Sequence, residues 1–279
     1  MILSHYQVKP ILAAKQKAQT AVTTSLDLGL STAELPLTAE GVQLPDGQQL
    51  NWAQLEEIMA NENSCYQIRD NQIDKVTFFS EALQRAYSLF PTESAPTMLV
   101  SGITMHRIVD CDPHQDTLNK IKAAGKIYGD VLDTTMGLGY TAIQAAQTAA
   151  SVTTIELDPT VVEVCRANPW SQELFSNPRI TRKVGHAWDV IEDEFDDEQF
   201  SVIIHDPPML NMAGELYSLE FYEELYRILK PKGRLFHYIG NPDSKSGATV
   251  TRGTIKRLKE AGFRRISSQA RAFGVLAVK

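Results

Sequence analysis

From Gly129 onward, apolar strand-like stretches alternate with helical ones, and this alternation limits the possible fold more than any other feature. The order is VLDTT, GYTAIQAAQTAA, SVTTIEL, PTVVEVCRAN, RITRKV, AWDVI, FSVIIHD, ELYSLEFYEELYRIL, GRLFHYIG and TIKRLKEAGF, closed by RRISSQA and AFGVLAVK. Strands joined by crossover helices build a mostly parallel, doubly wound α/β sheet. No helix separates the last two strands, which predicts an antiparallel hairpin at one edge.

The preceding residues have a different texture. AVTTSLDLGLSTAELPLTAEGVQL, residues 21–44, alternates β-branched or apolar residues with polar ones and leads into a hairpin-like turn at Pro45-Asp46-Gly47. NWAQLEEIMAN reads as a short helix capped by Asn51, and SCYQIRDNQIDKVTFF as a hairpin turning at Asp70-Asn71. The expected organisation is a strand-rich domain over 1–96, a bridging segment over 97–128, and an α/β domain over 129–279. The bridge holds TMLVSGITMHRI and the helix HQDTLNKIKAAG.

Composition narrows the setting. No apolar run approaches the ~20 residues that a membrane span needs. The N-terminal stretch is a poor signal peptide, because His5, Gln7 and Lys9 interrupt it. Cys65, Cys111 and Cys165 lie far apart and fit neither a disulfide framework nor a CxxC metal site, so a reducing cytoplasm is the expected location. A net charge of −7 excludes a surface that is basic all round. Charge is nonetheless segregated. Asp189–Glu198 carries seven carboxylates, whereas Arg252–Arg271 carries seven basic residues against Glu260 alone. The basic run reads first as a solvated face and second as the border of an anionic substrate such as RNA.

Three segments carry chemistry. In VLDTTMGLGYTAI a buried strand runs into Gly137 and Gly139 and then directly into a helix, so backbone passes close to a ligand. Glu156 ends the next strand, where an acidic side chain can hold two ribose hydroxyls. The pair points to a nucleoside-containing cofactor, while Ala142 in the third glycine position departs from the dinucleotide fingerprint. The second segment, FSVIIHDPPML, delivers His205, Asp206, Pro207 and Pro208 to the carboxyl end of the sheet. Two prolines there make a rigid turn whose carbonyls can accept hydrogen bonds. The third, Gly185-His186-Ala187-Trp188, is placed to flank an adenine ring.

The order of these elements resembles the class I methyltransferases. SLDLGLS, SGITMHRI, LGYTAI, HDPPM, AGELYSLEFYEELYRILKPKGRLFHYIG and AFGVLAVK together resemble a family of predicted methyltransferases common in archaea. The resemblance implies a Rossmann-like class I methyltransferase sheet behind the smaller strand-rich N-terminal domain, and S-adenosylmethionine as cofactor. It implies cofactor contacts from Asp133, Thr135, Met136, Gly137, Gly139, Tyr140 and Thr141, with Glu156 and Leu157 at the ribose and His186, Ala187 and Trp188 beside adenine. Asp206, Pro207 and His205 become the catalytic candidates. Pro208, Met209, Tyr217, His237, His106 and Arg107 become the acceptor-side candidates, the acceptor being an RNA base or another amine.

Two positions depart from the pattern: His186 stands where an Asp commonly contacts adenine, and Met209 where an aromatic commonly stacks on the acceptor. Each candidate also has an ordinary explanation. Tyr222 and Tyr226 can simply share a helix face, His237 can be a core histidine, and His106 and Arg107 can belong to a domain interface. His106, His205 and His237 have no metal-ligand spacing. A second enzyme class, the aminopropyltransferases of the spermidine synthase type, shares the β-rich N-terminal domain and Rossmann-like core. Its glycine loop carries an Asp where Thr135–Gly139 stands here, and its later motif is Asp-Ser where this chain has Asp-Pro-Pro. A nucleoside-binding module without turnover is the third reading.

Overall fold

The computed structural model describes residues 1–279 apart from Asn211 and Asp243, and the chain divides into two compact units. One holds Met1–His114 with Thr160–Gln172; the other holds Gln115–Pro159 with Glu173–Lys279. Residues 97–128, expected as a bridge, are therefore shared out. Thr97–Val100 pairs with Arg85–Phe90 and with Ile103–Thr104, so it completes an antiparallel sheet of the first unit.

In the first unit, short antiparallel hairpins accompany the helices His5–Gln16 and Trp52–Ala60, with most of Pro159–Ala167. The stretch expected as strand over 21–44 forms parts of two hairpins, Ala21–Thr24 with Ala33–Pro36 and Gly41–Gln43 with Gln49–Asn51. Gly47, at φ +87°, supplies the left-handed residue that turns the second. The helix Trp52–Ala60 starts on Asn51, whose side chain accepts from the Gln54 amide at 2.9 Å while Gln54 accepts from the Asn51 amide at 3.0 Å. Asn51 is the cap the sequence predicts, and Gln54 completes a capping box. Asp70 and Asn71 both adopt positive φ, as a two-residue hairpin turn requires. Leu3, Val8, Ile11, Leu35, Leu55 and Ile58 are fully buried at its centre.

The second unit is a seven-stranded sheet. Its strands are β1 (Asp130–Asp133), β2 (Ser151–Glu156), β3 (Ile180–Val184), β4 (Phe200–His205), β5 (Leu229–Tyr238), β6 (Arg264–Gln269) and β7 (Gly274–Val278). They lie in the order β3-β2-β1-β4-β5-β7-β6. The first five pair in parallel, and β7 runs antiparallel to both β5 and β6. The terminal hairpin is thus present, with its last strand inserted inside the edge. β4 is buried along its whole length, which explains why FSVII is apolar apart from the small Ser201.

The helices of this unit that matter to the site are α1 (Pro113–Ala124), α2 (Tyr140–Ala146), α3 (Ala187–Glu194), α4 (Leu219–Ile228) and α5 (Lys245–Glu260). ELYSLEFYEELYRIL is not one helix. Gly214–Tyr217 forms a 3₁₀ turn, and Ser218 then caps α4 by accepting from the Phe221 amide at 3.1 Å. A serine hydroxyl competes for backbone donors and so restarts a helix more readily than it continues one. α4 buries Phe221, Tyr222, Leu225 and Ile228 against the sheet-side core, which also contains Leu132, Ile203, Leu235 and Val275. No helix among the described residues is long and apolar enough to cross a membrane.

Candidate active site

In a sheet whose order reverses between β1 and β4, the crevice lies at the carboxyl ends on either side of that switch. The glycine loop leaves β1 there. The Met136 amide donates to Ile155 O at 2.7 Å and the Gly137 amide to Glu156 Oε2 at 3.1 Å, so the loop is stitched to the end of β2. Gly137 and Gly139 both have positive φ. A Cβ at Gly139 would meet Leu174 Cδ1 at 2.3 Å, so that glycine serves packing. A Cβ at Gly137 would meet nothing within 4 Å, so the loop presents bare backbone to open space. The two glycines have different duties.

Glu156 is half-buried and accepts from two amides, Gly137 through Oε2 and Asp158 through Oε1 at 3.0 Å. Burial pushes its pKa up to about 7, against the pull of those two amides. Leu157 and Val184 are exposed apolar residues at the same edge, since Glu156 pairs with Val184 in register. His186 precedes α3 and lies 3.5 Å from Glu215 and 3.9 Å from Asp189. Ala187 is buried, and the Trp188 indole donates to Glu192 at 3.1 Å.

Other members of the expected cofactor set do not present side chains. Asp133 is fully buried and accepts from Thr154 Oγ1 at 2.8 Å across the β1–β2 pair. Burial raises its pKa to about 7, and through Oδ2 the side chain braces the β1–β2 pair. Met136, Tyr140 and Thr141 are buried as well, which leaves their backbone as the part that can face a ligand.

The second half of the site grows from β4 and β5. His205 pairs with His237 in register, which sets their rings 4.4 Å apart at a 49° tilt and Asp206 beside Tyr238 at the strand ends. His205 is spent: Thr134 Oγ1 lies 2.7 Å from Nδ1, and Nε2 donates to Leu216 O at 2.9 Å. Its burial lowers the pKa to about 4, with the Leu216 carbonyl pulling the other way. The expectation of His205 as a proton acceptor is therefore corrected, because neither ring nitrogen is left for a substrate. His237 is likewise fully buried, with Tyr222 Oη 2.9 Å from Nε2; it belongs to the core beneath the site and not to an acceptor surface.

The carbonyls of the Asp-Pro-Pro turn are also less available than two prolines alone suggest. Thr135 Oγ1 donates to Asp206 O at 2.6 Å, and Tyr217 Oη donates to Pro208 O at 3.1 Å. Among the described residues, the Pro207 carbonyl and Asp206 Oδ1 accept no hydrogen bond. Tyr217 thus shapes the turn. Met209 follows it, exposed.

Sequence reading misses Lys120 altogether. It sits on α1, 86 residues from Asp206, and its Nζ lies 2.6 Å from Asp206 Oδ2 and 2.9 Å from Asp116 Oδ2. The same Nζ stands 4.5 Å above the Tyr238 ring. Burial by itself would lower the Lys120 pKa, but Asp206, Asp116 and Tyr238 outweigh it and raise the pKa, so the ammonium is charged. The only local signal was the i, i+4 spacing of Asp116 and Lys120, which usually marks an ordinary surface pair. In the first unit, His106 Nδ1 and the His106 amide lie 3.0 and 3.2 Å from Thr97 Oγ1, and Arg107 follows it in the chain. Arg252, Lys256, Lys259, Arg264, Arg265 and Arg271 are exposed along α5, β6 and the turn after it.

Residues 131–233 match a family model described as a methyltransferase domain. The chain is 45% identical over 239 residues to an uncharacterized protein of Methanocaldococcus jannaschii, spanning 85% of this chain and 81% of that protein. It is similar in fold to a spermidine synthase solved with the transition-state analogue AdoDATO, at 18% identity and TM-score 0.59 over 73% of this chain and 72% of that one. It is also similar to the spermidine synthase of Thermotoga maritima, at 15% identity and TM-score 0.55 over 75% of each chain. The chain belongs to the family of methyltransferase-domain proteins that includes the M. jannaschii protein.

Proposed function

We propose that the protein is an S-adenosylmethionine-dependent methyltransferase acting on an amino group. The observation that carries this reading is the glycine loop: Gly137 is held by Glu156 at 3.1 Å, its Cα faces open space, and the Asp206-Pro207-Pro208 turn leaves the neighbouring strand β4 at the same edge. The residues present fit the cofactor. Bare backbone at Gly137 admits it, Glu156 offers a carboxylate to ribose hydroxyls, and exposed Leu157 and Val184 offer apolar surface to adenine.

Bound there, S-adenosylmethionine would supply a methyl carbon made electrophilic by its sulfonium. The chain's own task is alignment, which is the larger part of catalysis for an in-line displacement. Asp206 Oδ1 and the Pro207 carbonyl can accept hydrogen bonds from the acceptor's N–H groups and so direct its lone pair. On taking the methyl group the acceptor nitrogen would have to release one proton, and Asp206 Oδ1, which would already hold that N–H, is the chain's own group placed to receive it. Thr135 and Tyr217 hold the turn rigid through the carbonyls of Asp206 and Pro208.

Titration calorimetry with S-adenosylmethionine and S-adenosylhomocysteine, alongside transfer of labelled methyl into size-fractionated extract, tests the proposal. Binding of both with label in one fraction is expected, and absence of binding would end it. The fold likeness to spermidine synthases keeps aminopropyl transfer as the second reading. Putrescine with decarboxylated cofactor should give no spermidine; its formation would promote that reading.

A further inference from the structure

We propose that Lys120 is a resident ammonium that fills an alkylammonium-binding cage of the chain's own making, so that the acceptor nitrogen must arrive uncharged. This rests on the methyltransferase reading and names its substrate class. The cage consists of the Asp206 carboxylate at 2.6 Å from Nζ, the Asp116 carboxylate at 2.9 Å, and the face of Tyr238 with its centroid at 4.5 Å. Two carboxylates and an aromatic face are the group set that takes an alkylammonium ion. The side chains of Lys120 and Asp116 are 3% and 0% exposed, whereas that of Asp206 is 20% exposed, so the ammonium is buried and water can reach the cage only on the Asp206 side.

The arrangement is also self-consistent in charge. Without the lysine, the Asp116 and Asp206 carboxylates would lose the cation they share, and the Asp116 charge would raise the Asp206 pKa further. Asp133 on β1 adds a third carboxyl group that interacts with both Asp206 and Lys120, Tyr217 senses Asp206, and Tyr238 acts on Lys120. With Lys120 in place, the Asp206 end of the site already holds its cation. A protonated aliphatic amine would have to displace a buried lysine or bear its repulsion. A neutral amino group, such as the exocyclic amine of a nucleobase, needs only the two acceptors that remain, Asp206 Oδ1 and the Pro207 carbonyl. Such a nitrogen is already unprotonated near neutral pH.

Chemical rescue tests the cage. Lys120→Ala removes three carbons and the nitrogen of the side chain, so n-propylammonium should refill the space. Its addition is expected to raise the melting temperature of Lys120→Ala in a saturable manner and leave the parent unchanged, whereas n-propanol should do neither. Equal effects of the amine and the alcohol on the variant would overturn the cage. If Lys120→Ala does not fold by itself, refolding from urea that succeeds with n-propylammonium and fails with n-propanol supports it, and failure with both counts against it. The specificity arm uses the parent loaded with S-adenosylhomocysteine. Putrescine binding there with micromolar affinity would overturn the exclusion of cationic acceptors. Loss of S-adenosylhomocysteine binding by the parent would instead sink the methyltransferase reading, and leaves the rescue result to be judged separately.

Discussion

Glu156 has a structural duty beside the ligand duty proposed for it. Its carboxylate ties the glycine loop to β2, and in the proposed site it also holds the ribose, so Glu156→Ala should weaken S-adenosylhomocysteine binding by ~1.5–3 kcal/mol, the range for hydrogen bonds to charged groups. Equal affinity of mutant and parent by calorimetry would remove Glu156 from the site. Because burial places its pKa at about 7, protonation removes acceptor capacity just below neutrality. Affinity should therefore decline as pH falls below about 7, by at most about tenfold per unit, and Glu156→Gln should flatten that decline. Asp206 makes the contrasting case. Asp206→Asn preserves the shape of the turn but withdraws one of the two charges around Lys120. Turnover should drop by about a hundredfold with cofactor affinity nearly unchanged, because orientation of the nucleophile matters chiefly in the transition state. Parental turnover in a folded, cofactor-binding variant would take Asp206 out of the mechanism.

At the scale of elements, strand register does the assembling. Parallel pairing of β4 with β5 sets His205 against His237, and the next positions along the two strands bring Asp206 beside Tyr238, to be joined by Lys120 from α1. A one-residue slip would reverse the faces and break all of these contacts together. The 3₁₀ turn before α4 contributes through Tyr217, whose hydroxyl reaches Pro208, and through Leu216, whose carbonyl occupies His205. Ser218 separates that turn from α4 and caps the helix. Ser218→Ala is expected to cost about 1 kcal/mol in urea unfolding, with turnover reduced further than cofactor affinity because the turn loosens. A stability unchanged within error would show that the turn is held by Tyr217 and Leu216 alone.

For the whole molecule, the buried carboxyl of Asp133 links stability to pH. Its folded pKa of about 7 lies above its ordinary value because of burial, so the native state binds a proton that the unfolded chain has lost. The stabilisation is fully present below the ordinary carboxylate range and disappears as pH rises through about 7. Melting temperature should therefore fall between pH 5 and 8 with a component that Asp133→Asn abolishes; an identical pH dependence in the two proteins would refute it. Glu156 contributes in the same direction, so Asp133→Asn should reduce the slope without removing it.

Periodicity and turn chemistry by themselves determined the strands of the α/β unit, the parallel core, the terminal hairpin, the Asn51 cap and the Asp70-Asn71 turn. These depend on residues near one another in the chain, where apolar period, left-handed φ and cap hydroxyls act directly. The glycine loop with Glu156 and the Asp206-Pro207-Pro208 turn were legible for the same reason, since each sits at the end of a readable strand. Local pattern misled where a side chain's role depends on what lies opposite. Asp133 and His205 sit in the right motifs, yet Thr154, Thr134 and Leu216 bury and occupy them. Lys120 illustrates the limit most fully: in sequence it is one half of a helical Asp-Lys pair. Only the packing of α1 against the ends of β4 and β5 turns it into the buried cation of the site, because an electrostatic partner 86 residues away leaves no trace in local spacing.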